Sequence, residues 1–78
     1  MAQMSLGEGK WRMLRRVLKK RAFQYADCRN QARHDQEHFD WLLEHGFFAA
    51  NGDDTFAITP AGRGAAELGL YDGEPAGR

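Results

Sequence analysis

One cysteine, Cys28, stands in the 78 residues, so no disulfide can form within the chain. A small domain without that staple must hold itself by packing, and a reducing compartment is the simplest setting. No apolar run approaches the ~18 residues that a membrane span needs. The first seven residues lack the apolar stretch of a secretion signal, so the expectation is a cytoplasmic protein without membrane contact. No glycine-rich phosphate loop is present. Gly7-Glu8-Gly9-Lys10 has no strand before it and is too short for nucleotide binding. Internal repeats are absent as well. Net charge is also absent, since 11 Lys and Arg offset 11 Asp and Glu.

Aromatic residues are plentiful for the length: two Trp, two Tyr and five Phe. They argue for a real core, although a chain of this size buries only ~60–65% of its unfolded surface. The cancelled charge hides an asymmetry. Through His34 the chain carries nine Lys/Arg and two Asp/Glu, a net of +7. From Asp35 onward it carries two Arg and nine Asp/Glu, a net of −7. Such a split concerns partners rather than fold.

The most legible stretch is 39–66, FDWLLEHGFFAANGDDTFAITPAGRGAA. Phe39, Leu42 and Leu43 share one helical face. His45 and Gly46 close that helix, because glycine accepts the left-handed conformation of a helix end. Phe47 to Ala50 is short and apolar, Asn51-Gly52-Asp53-Asp54 is a turn, and Thr55-Phe56-Ala57-Ile58 alternates like a half-buried strand. Thr59-Pro60 is a helix start, a capping hydroxyl followed by a residue whose missing donor is harmless there. Gly69 is a natural stop, and Ala61, Ala65 and Leu68 give the last helix a narrow apolar face.

Leu42-Leu43-Glu44-His45-Gly46-Phe47-Phe48, Asn51-Gly52 and Ile58-Thr59-Pro60-Ala61-Gly62-Arg63 together resemble the C-terminal half of a winged helix-turn-helix domain. The resemblance implies an α+β winged-helix-like fold: three N-terminal helices, a β-hairpin wing and a C-terminal helix. It implies a binding module for nucleic acid or protein; the lack of a phosphate loop or a catalytic constellation in the residues themselves speaks against an enzyme. No cofactor is implied.

Helix one is expected at 8–21. Trp11, Met13, Leu14, Val17, Leu18 and Ala22 form its apolar arc, and Arg12, Arg15, Arg16, Lys19 and Lys20 its basic arc. Phe23 to Tyr25 is either a short extended segment pairing with the hairpin or one more helical turn. Helices at 26–33 and 35–45 are preferred, with Ala26, Cys28 and Ala32 as small buried positions and Asp35 as a cap. A single helix over 25–45 is the alternative, since no Gly or Pro interrupts it. The hairpin is placed at 47–58 and the last helix at 60–68. Residues 1–7 are read as a frayed, disordered N-terminus, 8–71 as the domain, and 72–78 as a disordered tail, with Leu70 and Tyr71 tucked back onto the core.

Two binding readings follow. In the usual DNA docking the third helix enters the major groove. Here that helix carries Asp35, Glu37, Asp40 and Glu44 without Lys or Arg, and the wing tip carries Asp53 and Asp54. These repel phosphates. Nucleic-acid or acidic-partner contacts therefore fall to Arg12, Arg15, Arg16, Lys19, Lys20, Arg29 and Arg33, with Asn30, Gln31 and Gln36 free to read base edges. The competing reading is a protein interface around Trp41, Asp40 and Glu44, with a second copy, as a homodimer, among the partners that opposite faces can meet. His34-Asp35-Gln36-Glu37-His38 formally matches H-x-x-E-H, a zinc protease pattern, but a cleft and a third ligand are lacking, so no metal is expected. Cys28 reads as a small buried thiol.

Overall fold

The computed structural model describes residues 3–31 and 33–72, Asp72 by its backbone alone. They form a small α+β domain of four helices and two two-stranded antiparallel sheets. In chain order these are β1 Gln3–Ser5, α1 Glu8–Arg16, α2 Tyr25–Cys28, α3 Asp35–Glu44, β2 Phe48–Ala50, β3 Phe56–Ile58, α4 Pro60–Leu68 and β4 Leu70–Asp72. No helix among the described residues is long and apolar enough to cross a membrane.

The N-terminal segment differs from the frayed end expected at 1–7. Gln3, Met4 and Ser5 pair with Asp72, Tyr71 and Leu70. Leu6 is buried, and its N–H donates to Gly69 O at 3.0 Å. A three-residue strand has too few positions to show alternation, and its partner lies at the other end of the sequence. Leu70 and Tyr71 do more than tuck back, since they are strand β4. The expected tail beyond Asp72 lies outside the described residues.

Helix α1 stops at Arg16 rather than 21. Met13, Leu14 and Val17 are buried, Leu18 is half-buried, and Ala22, assigned to the apolar arc, is exposed. After Arg16 the chain tightens into three-residue turns, with Val17 N–H donating to Leu14 O and Lys20 N–H to Val17 O. It then extends, and Phe23 exchanges hydrogen bonds of 2.9 and 2.7 Å with Phe56. A helix continued to 21 would carry Phe23 away from that partner. The extended reading of Phe23 therefore holds.

The 26–33 helix is corrected to the single turn α2. Asp27 Oδ2 accepts from the Gln24 N–H at its start, and Arg29 is already extended. Gln31 takes a positive φ of 56°, which no helix allows. The chain must reverse here, because Cys28 and Phe39 both reach the core. Two separate helices, not one over 25–45, occupy this stretch. Asp35 is the first residue of α3 rather than its cap, which is His34, and it is buried. Ala32, expected to be buried, lies outside the described residues.

The 42–69 stretch follows its local rules closely. Phe47 N–H donates to Leu42 O at 2.9 Å and Gly46 N–H to Leu43 O at 3.2 Å. With Gly46 at φ 79° this is the double-bonded left-handed stop that satisfies a helix's last carbonyls. Phe48, Ala49 and Ala50 pair with Ile58, Ala57 and Phe56. Thr59 caps α4, accepting from Gly62 N–H at 3.1 Å and donating to Gly46 O at 2.6 Å. The buried face of α4 is Gly62, Ala65 and Ala66, not Ala61, Ala65 and Leu68. Ala61 is exposed, and Leu68 is 63% exposed. On that buried side Trp11 Nε1 donates to Ala66 O at 2.6 Å, tying α4 to α1.

The core lies between α1, α3 and the hairpin. Phe39 meets Phe56 edge to face at 4.9 Å between centroids, and Phe23 meets Phe48 at 4.8 Å. Met13, Leu14, Val17, Cys28 and Leu42 close around these rings.

A candidate anion-binding cleft on helix one

Nine residues of α1 make little more than two turns, so Arg12, Arg15 and Arg16 emerge near one another. Together with Asn30 they line an open cleft of about 520 Å³. Each arginine is held differently. Arg12 Nη2 donates to Glu8 Oε2 at 2.8 Å, and both side chains are largely exposed. Arg15 lies over the Trp11 ring, 5.4 Å from its centroid, a cation–π contact. Arg16 Nε donates to Asn30 Oδ1 at 2.7 Å. Asn30 Nδ2 in turn donates to Gly9 O at 3.2 Å.

Of the seven basic candidates the structure thus brings three together. Lys19 and Lys20 are exposed but sit in the turn after α1, not on its helical face. Arg29 turns to the buried Asp35, Nε to Oδ2 3.9 Å, and lies over Tyr25. Arg33 is exposed and does not line the cleft. Among the described residues, no carboxylate pairs with Arg15, Arg16, Lys19, Lys20 or Arg33. Asn30 is not free to read bases, because both ends of its amide are engaged. Nothing in the sequence signalled this, since its partners Arg16 and Gly9 are 14 and 21 residues away.

The opposite sign is displayed elsewhere. Glu37, Asp40 and Glu44 on α3 and Asp53 and Asp54 at the hairpin tip are exposed. The tip is ordered by its own bonds. Asn51 Nδ2 donates to Thr55 Oγ1 at 3.0 Å, and Asp53 accepts from Thr55, which lowers the Asp53 pKa. Trp41 is not a free interface anchor. His45 stacks on it at 3.7 Å, Tyr71 meets it edge-on at 5.1 Å, and Lys10 Nζ lies 4.6 Å from its centroid.

The H-x-x-E-H residues do not converge. His34 Nδ1 bonds Glu37 at 2.7 Å, and the His34 and His38 rings are 6.2 Å apart. No three His, Cys, Asp or Glu among the described residues are grouped to hold a metal ion. Cys28 Sγ donates to Tyr25 O at 3.1 Å, and burial pushes its pKa up to about 12. A thiol so shifted is no nucleophile at neutral pH. His38 has a different role. Its Nδ1 is buried without a hydrogen-bond partner among the described residues, and its ring fills the space beside Gly9, where an added Cβ would overlap Cε1. Burial, then Lys10 and His34, lower its pKa.

No protein-family model, curated protein or solved structure matches the chain.

Proposed function

We propose that this domain is a non-catalytic winged-helix module that binds nucleic acid through its first helix. The order helix, extended segment, helix, helix, hairpin supports the winged-helix reading, with Phe23 pairing onto Phe56 beside the wing β2–β3. The carrying observation is the cleft of Arg12, Arg15, Arg16 and Asn30, in which, among the described residues, only Arg12 meets a carboxylate. Backbone phosphates supply most non-specific affinity, and unspent guanidiniums on one face suit them. The exposed carboxylates of α3 and the hairpin tip repel phosphates and line no part of the cleft, so the docking differs from the usual one with the third helix in the groove. A free buried thiol at Cys28 fits a reducing, cytoplasmic setting.

Titration of labelled duplex DNA at low and moderate salt tests this. Three phosphate contacts predict a slope near −2.7, roughly a 40-fold loss of affinity from 50 to 200 mM salt. Arg15→Glu with Arg16→Glu abolishes binding. A wild-type chain that ignores duplex at low salt retires the reading. That result favours the second one, a protein partner for the exposed Asp40 and Glu44 beside Trp41, including a second copy docking its basic face there. Sedimentation across a concentration series then separates self-association from a foreign partner.

A further inference from the structure

The cleft holds one feature that total charge does not explain. Asn30 Oδ1 accepts from Arg16 Nε, and its Nδ2 donates to Gly9 O. Reversing the amide would set donor against donor and acceptor against acceptor, so its orientation is fixed. The amide therefore clamps Arg16 at Nε, against the backbone of its own helix. A guanidinium is planar and carries five N–H groups in a rigid fork. One is spent on Asn30. The four on the two Nη atoms have no acceptor among the described residues, and Arg16 lines the cleft. Arg15 is held over Trp11 on the same helix. Glu8, bonded to Arg12, is the one carboxylate among the described residues paired with a cleft arginine.

We infer that Asn30 is a positioning residue that presets Arg16 as a fork for the phosphodiesters of a nucleic-acid backbone. This rests on the nucleic-acid reading and names its ligand chemistry. A phosphodiester presents two charged non-bridging oxygens, which can accept from more than one guanidinium, and Arg15 and Arg16 both line the cleft. One helical turn separates Arg12 from Arg16, about 6 Å along the axis, while a DNA strand rises ~3.4 Å per phosphate. The row can thus span adjacent phosphates.

The test compares wild type with Asn30→Ala and Arg16→Lys, each checked for folding by circular dichroism. Asn30→Ala removes no charge. It weakens duplex binding about fivefold at fixed salt, the size of one hydrogen bond, and leaves the salt slope unchanged. Arg16→Lys keeps both the charge and the Asn30–Gly9 bond but loses the fork, and it weakens binding to a similar degree. If both variants bind like wild type while the double glutamate variant does not, the inference falls and the nucleic-acid reading stands. Inorganic phosphate, followed through the Arg16 Nε–H resonance, probes the fork without DNA. A saturating shift in wild type that is lost in Asn30→Ala supports the fork even where duplex fails to bind. An equal shift in both, no shift in wild type, or competition by poly-glutamate equal to that by phosphate overturns it.

Discussion

From Leu42 to Gly62 most changes of direction are closed by bonds between near neighbours, whereas from 17 to 34 the chain depends on partners far away. In the first region Phe47 reaches back to Leu42, Asn51 to Thr55, and Gly62 to Thr59. The second has one short helix, an extended Arg29 and a Gln31 at positive φ. Its anchors are Phe23 on Phe56 and Asn30 on Gly9 and Arg16. A stretch closed locally is stiff by itself. A stretch closed at a distance is ordered only when the rest of the domain is, and it is here that the cleft acquires Asn30.

Breaking the distant anchor has the largest expected effect. Phe23 is buried at the point where three aromatic rings meet. Phe23→Ala leaves a cavity and costs about 3–5 kcal/mol, a large part of the stability of so small a domain. Urea unfolding measures it, and a loss below ~1 kcal/mol would mean that residues 17–34 are held by something else.

The local region is sharpened by a pair of glycines on one helix. A Cβ at Gly62 would lie 2.3 Å from Phe47 O and 2.8 Å from Ile58 Cγ1. The first of these is backbone and cannot swing away. Overpacking of about 1–3 kcal/mol then exceeds the ~1 kcal/mol that alanine gains in a helix, so Gly62→Ala destabilises. Gly64, two residues on, has nothing within 4 Å of a Cβ. Gly64→Ala therefore stabilises by up to ~1 kcal/mol. Equal effects from the two substitutions would remove the claim that α4 is seated on the strand entry through Gly62.

The same division explains what could be read in advance. The stop at Gly46, the turn at Asn51-Gly52, the cap at Thr59 and the stop at Gly69 are local signals, and each lies where the residues place it. Strand β1, the early end of α1 and the collapse of 26–33 to one turn depend on Leu70–Asp72 and Phe56, which no local window contains. The basic arc was legible as charge, and three of its arginines do share a cleft. The spending of Arg29 on Asp35 and the clamping of Arg16 by Asn30 were not, because the sequence around Arg29 and Asn30 gives no periodicity from which to place a side chain.

The smallest expected effect sets a contact outside both regions, between α3 and α1, against the hairpin tip of the first region by pH. His38 joins α3 to the start of α1, with its ring beside Gly9 and its Nδ1 unpartnered among the described residues. Burial first, then Lys10 and His34, lower its pKa from 6.5, against the opposing pull of Asp35 and Glu37. Between the folded value and 6.5 the unfolded chain binds more protons, so stability rises with pH there. The contribution is fully present above 6.5 and is lost as pH falls through the lowered value. Asp53 at the hairpin tip is also lowered, from 3.8, by its bond from Thr55. Its contribution is present above 3.8 and is lost only in stronger acid. Thermal unfolding from pH 8 to 5 should therefore show a gentle decline in wild type. His38→Gln, which cannot take up a proton, flattens it. Gly9→Ala flattens it too, because the imidazole is the free end of its side chain and is pushed into water, where its pKa recovers. Asp53→Asn leaves this window unchanged. A decline that persists in His38→Gln would place the titrating group elsewhere and detach the α1–α3 contact from the pH response.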